Sequence, residues 1–432
     1  MKLSPDQAHA DGVLREGEGS VWLTGPAGTG KSTLLRAALA GQSGVLVVAP
    51  TGVAALNADG VTIHRAFGIT PDIDVQRPLT GDRRHQLAAA STVVIDEASM
   101  MRVDLFEQVD MRLREVGDPT EAFGGKRIVL VGDFAQLPPV MARDRSTAMV
   151  RRRWDTKTGF PFHHNLWGNF ACLELTTQHR QTTDQAMFLK ILNGMRRGQA
   201  NQRTANWLNR NLKEGPAPTD VIRLTNPRRM RDELNGALAP KSGRSYIGTA
   251  KAGGVCESWR ANQRPAPLTM QLRVGSRVMC VANCATHGGT QLINGDLGTI
   301  VDVLDDAVEV AFDREGAGTQ RVTPHTWRKH HPFETEWREV DGEEVEVPRI
   351  LGSYTQVPLI LAHAITVHKS QGLTFDTAEI HISGAAPMGL MYVALSRVRT
   401  LGGIWRGQGT QFTALDLKTF DQSAIIASMR AG

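Results

Sequence analysis

The sequence predicts an α/β protein: a doubly wound parallel sheet at the amino-terminal end, a second α/β domain after it, and a small β module inserted in the second. Three observations predict this. First, short apolar runs alternate with helical spacing through the opening third of the 432 residues. "SVWLT" (20–24), "VLVVA" (45–49), "TVVID" (92–96) and "RIVLVG" (127–132) are continuous apolar stretches of the length of buried parallel strands. "KSTLLRAALA" (31–40) and "MRVDLFEQVDMRLREV" (101–116) between them repeat apolar residues at helical intervals. Second, "VIRLT" (221–225) and "PLILAHAIT" (358–366) have the same strand texture much later in the chain. Third, the texture between those two runs changes: "LRVGSRVMCVAN", "LGTIVDVL" and "AVEVAFD" are short strands joined by tight turns, with Asp305-Asp306 at a hairpin tip.

The remaining elements follow in order. Residues 71–90 interrupt the α/β rhythm with polar residues, two prolines and a glycine, and are expected to be an insertion. "AMFLKILNGMRRG" (186–198) places Met187, Phe188, Ile191, Leu192 and Met195 on one helical face, which predicts a core helix. Composition bounds the class: 41% apolar and 22% charged residues describe a globular chain. The start "MKLSPDQAHADG" has no apolar signal core, and "VPLILAHAITV" is too short to cross a bilayer, so no membrane partner is expected. Four cysteines give no disulfide framework and suit a reducing cytoplasm. Cys280, Cys284, Cys256 and His287 are spaced too loosely for zinc, so the cysteines are expected in the core. A net charge of +5 tilts the chain towards polyanions. Arg151-Arg152-Arg153 reads as a solvated face.

"GPAGTGKS" (25–32) follows a strand and opens a helix. Gly25, Gly28 and Gly30 let backbone N–H groups close around phosphates, Lys31 reaches the β- and γ-phosphates, and Ser32 holds Mg²⁺. This is a nucleotide site. "VVIDEAS" (93–99) brings Asp96 at a strand end for Mg²⁺ and Glu97 to orient or deprotonate water. In "GDFAQLPPV" (132–140), Asp133 and Gln136 stand where open α/β sheets gather their ligands. Gln136 can donate to a γ-phosphate oxygen and lose that partner after hydrolysis, while Pro138-Pro139 stiffens the segment leading away.

The series "GPAGTGKS", "APTGVAA" (49–55), "TIHRAFG" (62–68), "DEAS", "GDFAQLPPV", "QHRQ" (178–181), "HKSQGLTFD" (368–376) and "YVALSR" (392–397) resembles superfamily 1 class B DNA helicases. "FGG" at Phe123–Gly125 resembles the PIF (petite integration frequency) family within them, and the likeness runs from Gln7 to about Arg399. The resemblance implies two RecA-like domains, a wedge at about 71–90 and an SH3-like β-barrel insertion. The expected boundaries are 1–174 for the first domain, 175–271 and 358–432 for the second, and 272–357 for the barrel. It also implies ATP and Mg²⁺ as cofactors, with Thr33 and Gly372 joining the nucleotide site and Gln7 reading adenine. Arg180 and Arg397 fall on finger positions. A loose phosphoryl transition state needs such cationic neutralisation.

For the DNA face the resemblance implies Thr51 and Gly52 as a phosphate-contacting loop and His64 and Phe67 as base-facing. Asn226, Thr366, His368, Lys369 and Ser370 would contact DNA from the second domain. Ala66 and His179 depart from the pattern, since aromatics are commoner at both places. The implied activity is ATP-driven 5′→3′ movement on single-stranded DNA and separation of forked or tailed duplex, by a monomer, in a compact cytoplasmic, nucleoid-associated core. Three alternatives stand beside it: a translocase or nucleoprotein remodeller without unwinding, an RNA helicase, and a P-loop kinase or transferase.

Overall fold

The computed structural model describes residues 3–16, 18–69, 79, 81–142, 144–180, 185–261, 263–286, 288–340, 343–382 and 386–430. They form two compact units, Met1–Ala217 with Ser370–Gly432, and Pro218–Lys369.

The first unit is built on helices α1 (Pro5–Glu16), α2 (Lys31–Leu39), α3 (Gly52–Asn57), α4 (Ile63–Phe67), α5 (Gly81–Ala89) and α6 (Val103–Arg114). Its sheet contains β1 (Ser20–Thr24), β2 (Val45–Ala49), β3 (Val61–Thr62), β4 (Thr92–Ile95), β5 (Arg127–Val131) and β6 (Phe170–Glu174). All six are parallel, in the order β3-β2-β4-β5-β1-β6. The four expected strands are present, and the short β3 and the edge strand β6 join them.

Alternate residues of the central strands feed two cores. Trp22, Val93, Ile95, Ile128 and Leu130 pack on one face with Phe67, Phe106, Phe123, Phe134 and Trp167. Val21, Leu23, Val94, Val129 and Val131 pack on the other with Leu14, Leu34 and Leu35. Burial on both faces is why these strands read as continuous apolar runs rather than alternating ones. Of the expected insertion at 71–90, residues 71–78 and 80 lie outside the described residues; α5 is its second half. The first unit also carries the helices Ala186–Arg196 and Leu390–Ser396. Parallel strands Lys213–Glu214, Ile404–Arg406 and Ala378–Ile382 complete it. The helix Ala186–Arg196 buries Phe188, Ile191, Leu192 and Met195 as expected, but Met187 is exposed. It is the second residue of the helix, one place ahead of the buried stripe.

The second unit differs from the sequence reading in one instructive way. "PLILAHAIT" is two strands. Leu359–Leu361 pairs antiparallel with Arg277–Cys280, whereas Ala364–Thr366 pairs parallel with Ile222–Asn226. His363 makes the break: its ring Nε2 accepts from Arg277 N at 3.2 Å, and its carbonyl accepts from Arg223 N at 3.0 Å. One residue thus ties two sheets. The β module accordingly extends past 357: a five-stranded antiparallel sheet links Arg277–Cys280, Leu297–Val303, Val308–Phe312, Thr319–Val322 and Leu359–Leu361. A long hairpin, His325–Val340 with Glu343–Gln356, pairs with Lys251–Gly254 in a separate sheet.

Among the described residues no helix is long and apolar enough to cross a membrane.

Candidate nucleotide site and nucleic-acid face

The sheet order places β4, β5 and β1 side by side, in register at Ile95, Leu130 and Trp22. The chain leaving each carboxyl end therefore emerges along one edge. β1 delivers the loop Gly25–Lys31, β4 delivers Asp96-Glu97, and β5 delivers Gly132–Gln136. Three sequence-distant motifs are brought together by topology alone.

The loop after β1 needs its glycines. Gly25, Gly28 and Gly30 have φ of +148°, +85° and +78°, and a Cβ on Gly25 would lie 2.5 Å from the Leu175 carbonyl oxygen. Lys31 Nζ donates to the Gly25 and Pro26 carbonyls at 2.8 and 3.0 Å, so the lysine lies folded against its own loop. Burial pulls its ammonium down to about 8, against the support of the Asp133 charge. Ser32 Oγ donates to Asp96 Oδ2 at 3.3 Å. Burial raises both carboxyls of the pair, and Glu97 reaches about 7 with Asp96 adding to the effect. Glu97 itself sits at φ +50°, the left-handed region unusual for a side chain of its size.

Asp133 is fully buried and is the centre of a network rather than a ligand-facing acid. It accepts from Gln422 Nε2 at 2.6 Å, the Tyr392 hydroxyl at 3.1 Å and Arg196 Nε at 3.3 Å. The Tyr392 hydroxyl also accepts from Ala27 N at 3.1 Å, so one phenol joins the phosphate loop to the loop after β5. Phe134 wedges beside Trp22 with ring centroids 5.0 Å apart. Both devices hold Gln136 in place.

Gln136 is buried, and its Oε1 accepts from Arg397 Nη2 at 3.3 Å. That bond fixes the amide, leaving Nε2 as the end suited to donate to a phosphate oxygen. Gly389, at φ +78°, lets the helix bearing Arg397 approach. A Cβ there would lie 2.2 Å from the Gln136 carbonyl oxygen. Arg180 Nη1 donates to Ser396 O at 2.8 Å, beside Arg397. Burial brings the Arg180 pKa to about 10 with Arg397 as the second cause, and burial lowers that of Arg397. Arg397 is 4% exposed, and its Nε has no hydrogen-bond partner among the described residues. A buried guanidinium beside a half-buried one, with the Glu97 charge supporting Arg397, suits a further anion. The glycine cradle, the Ser32–Asp96 pair and this unsatisfied cation fit a nucleoside triphosphate with a divalent metal.

Gln7 is fully buried; its amide donates to Thr29 O at 3.0 Å and accepts from Ser4 N at 3.1 Å. It lies against the phosphate loop. Thr33 is exposed in the first turn of α2, and Gly372 is an exposed residue at φ +82°.

The nucleic-acid candidates are placed less uniformly. In the first unit Thr51 Oγ1 accepts from Ala54 N at 3.2 Å at the start of α3, with Gly52 exposed beside it. His64 is half-buried. Phe67 corrects the expectation: it is 0% exposed and belongs to the aromatic core, so it cannot stack on a base in this conformation. Its place at the end of a five-residue helix turns it inward. Ser370 is buried too.

In the second unit Asn226 ends its strand and Thr366 is buried in the neighbouring one, while His368 is exposed. Lys369 is brought to about 8 by burial, then by Arg231 and Arg228. A cleft of about 550 Å³ is lined by Lys369, Arg231, Arg264 and Asn235 with apolar Pro267 and Leu359. Cations gathered beside apolar walls suit a phosphate chain with bases.

A family model described as PIF1-like helicase matches residues 6–206. The ATP-dependent DNA helicase Pif1 of Bdellovibrio bacteriovorus is 30% identical over 420 residues, covering 94% of this chain and 87% of that protein. The chain belongs to the PIF1-like helicase family. Human ATP-dependent DNA helicase PIF1 is 32% identical over 432 residues, covering 93% of this chain; the match spans 60% of the human protein's length. The crystal structure of Pif1 helicase from Bacteroides in complex with ADP-AlF3 and ssDNA is 31% identical. It superposes with a TM-score of 0.76, covering 100% of this chain and 97% of that one. The α/β architecture with two RecA-like cores is therefore the fold of this PIF1-like chain.

Sequence reasoning placed Asp133 at the site but missed its partners Arg196, Tyr392 and Gln422. Asp133 meets these partners across separations of 63, 259 and 289 residues, which no local spacing reveals. Tyr392 stands in a recognised motif, and that was its one signal.

Proposed function

We propose that this PIF1-like chain is an ATP-dependent DNA helicase that moves 5′→3′ on single-stranded DNA and separates the duplex ahead of it, acting as a monomer. The observation that carries this is the pairing of Arg397 with Gln136 beside Lys31, Asp96 and Glu97. A γ-phosphate sensor and a transition-state cation share one hydrogen bond. Ser32 and Asp96 would hold Mg²⁺, which supplies neutralisation of phosphate charge and orientation of the triphosphate. Gly25, Gly28, Gly30 and Lys31 bind the phosphates, while Gln7, Thr33 and Gly372 border the nucleotide. Glu97 orients the attacking water and takes its proton as the bond from phosphorus to the leaving oxygen breaks. Arg180 and Arg397 oppose the charge that develops on the transferred group.

Thr51, Gly52 and His64 in the first unit, and Asn226, Thr366, His368 and Lys369 in the second, are the DNA-binding residues of this reading, with Lys369 and its arginine neighbours as the phosphate grip; Ser370, as buried as Phe67, is left out. Loss of the γ-phosphate removes the contact that distinguishes the ATP state at Gln136, and a ligand shifts a conformational balance only through such differences. The five-stranded antiparallel sheet of the second unit corresponds to the SH3-like insertion, and α5 to part of the wedge. The test is strand displacement on duplexes with a 5′ or a 3′ single-stranded tail. ATP-dependent displacement of the 5′-tailed duplex alone is expected. Rapid ATP hydrolysis with neither duplex opened would identify a translocase that does not unwind.

A further inference from the structure

The hydrogen bond from Arg397 to Gln136 joins two elements that a third segment holds. Lys418 O accepts from Gly389 N at 2.8 Å, at the head of the helix Leu390–Ser396 that leads into Arg397. Four residues on, Gln422 grips the turn that carries Gln136. Its Oε1 accepts from Phe134 N at 3.0 Å, and its Nε2 donates to Asp133 Oδ1 at 2.6 Å. Gln422 is 1% exposed and Phe134 0%, and Phe134 N has no other acceptor among the described residues. The turn closes on itself, since Gln136 N donates to Asp133 O at 2.9 Å. A shift at Phe134 is thereby a shift at Gln136.

The holding segment is itself fixed on either side of Gln422. Before it, the Thr419 hydroxyl donates to Met195 O, and the Phe420 ring stacks on Phe162 with centroids 5.1 Å apart. After it, the helix Ser423–Arg430 buries Ile426 in the aromatic core, and Trp167 Nε1 donates to Met429 Sδ at 3.1 Å.

We propose that Gln422 is a positioning residue for ATP hydrolysis: through Phe134 and Asp133 it sets where Gln136 presents its amide, while Lys418 holds the Arg397 helix at the matching distance. Gln422 acts only through these neighbours. The inference rests on Gln136 meeting a γ-phosphate oxygen, as in the function proposed above. The side-chain chemistry suits the task, because one primary amide offers an acceptor to Phe134 N and a donor to the Asp133 carboxylate. A carboxylate of the same shape would still accept from Phe134 N but would set a second negative charge against Asp133. A methionine of similar length would leave Phe134 N a buried donor without a partner, and the turn would move to find one.

The test compares the full-length wild type with Gln422→Met, Gln422→Glu, Gln136→Ala and the double variant Gln136→Ala, Gln422→Met. Hydrogen–deuterium exchange without nucleotide reads the turn directly. A peptide covering Asp133–Gln136 should exchange faster in Gln422→Met than in the wild type. Turnover stimulated by single-stranded DNA should fall by about tenfold in both Gln422 variants, as loss of one buried hydrogen bond to a sensor would cause. Equilibrium affinities for ATP and oligonucleotide should stay at the wild-type level. The double variant should be no slower than Gln136→Ala alone, because Gln422 acts through Gln136. Losses that multiply in the double variant, or a loss of ATP binding in the Gln422 variants, would mean a general structural role and overturn the proposal. So would wild-type turnover in both Gln422 variants; if Gln136→Ala is impaired beside them, the sensor reading stands without Gln422. Normal DNA stimulation in Gln136→Ala would instead remove the sensor reading and the proposal with it. Gln422→Glu keeps the side chain's size, so it decides the matter even if Gln422→Met fails to fold.

Discussion

Lys369 has its ammonium brought to about 8 by burial and by Arg231 and Arg228. A depressed lysine keeps its charge below that pKa and loses it above. Affinity for single-stranded DNA should therefore fall as pH rises through about 8, and Lys369→Arg should flatten that part of the profile, because an arginine stays charged. Fluorescence anisotropy with a labelled oligonucleotide across this range reads it. A wild-type profile already flat would remove Lys369 from the grip. At the nucleotide, Arg397→Ala should slow ATP hydrolysis by about 10³–10⁵ while ATP affinity changes far less. Single-turnover hydrolysis beside equilibrium nucleotide binding separates the two effects, and normal hydrolysis would deny Arg397 its role. Lys31, Ser32, Asp96, Glu97 and Gln136 were legible because each lies in a short motif on a strand end. Asp133 was visible as an acid at a strand's carboxyl end, but its partners were not, since they arrive from 63, 259 and 289 residues away.

Among the elements, α4 and the split run at 358–366 teach the most. Phe67 and His64 lie three residues apart on α4, and the sequence alone places neither inside nor outside. The packing decides: His64 stays half-buried, and Phe67 fills the aromatic core beneath the sheet. Phe67→Ala should cost about 3–5 kcal/mol of folding stability, as core truncation does. Phe67→Leu should keep most of that stability and leave single-stranded DNA affinity unchanged. Denaturant unfolding and DNA titration of both variants check this, and a well-folded Phe67→Leu with weakened DNA binding would restore a base-facing role. The run at 358–366 reads as one strand because an apolar stretch carries no mark of where a chain changes sheets. His363 is the mark, and a histidine in such a stretch has no distinctive spacing. The first sheet was easier: double-sided burial writes its strands plainly into the sequence.

Across the whole molecule, a formal charge of +5 on 432 residues is too small to specify a nucleic acid, and the cations that matter are gathered locally at Arg228, Arg231, Arg264 and Lys369. The order of motifs along the chain carried the family, whereas the extent of the β module depended on strand pairings that only the fold displays. The central claim is that ATP hydrolysis at Lys31, Glu97 and Arg397 is coupled to a grip on single-stranded DNA. Its most direct measurement is steady-state ATP turnover as single-stranded oligonucleotide is titrated in, for the wild type, Lys31→Ala and Gln136→Ala. The wild type should show saturable stimulation, Lys31→Ala no turnover, and Gln136→Ala a DNA-independent rate although it still binds ATP and oligonucleotide. Wild-type turnover that ignores DNA at every concentration would contradict the account.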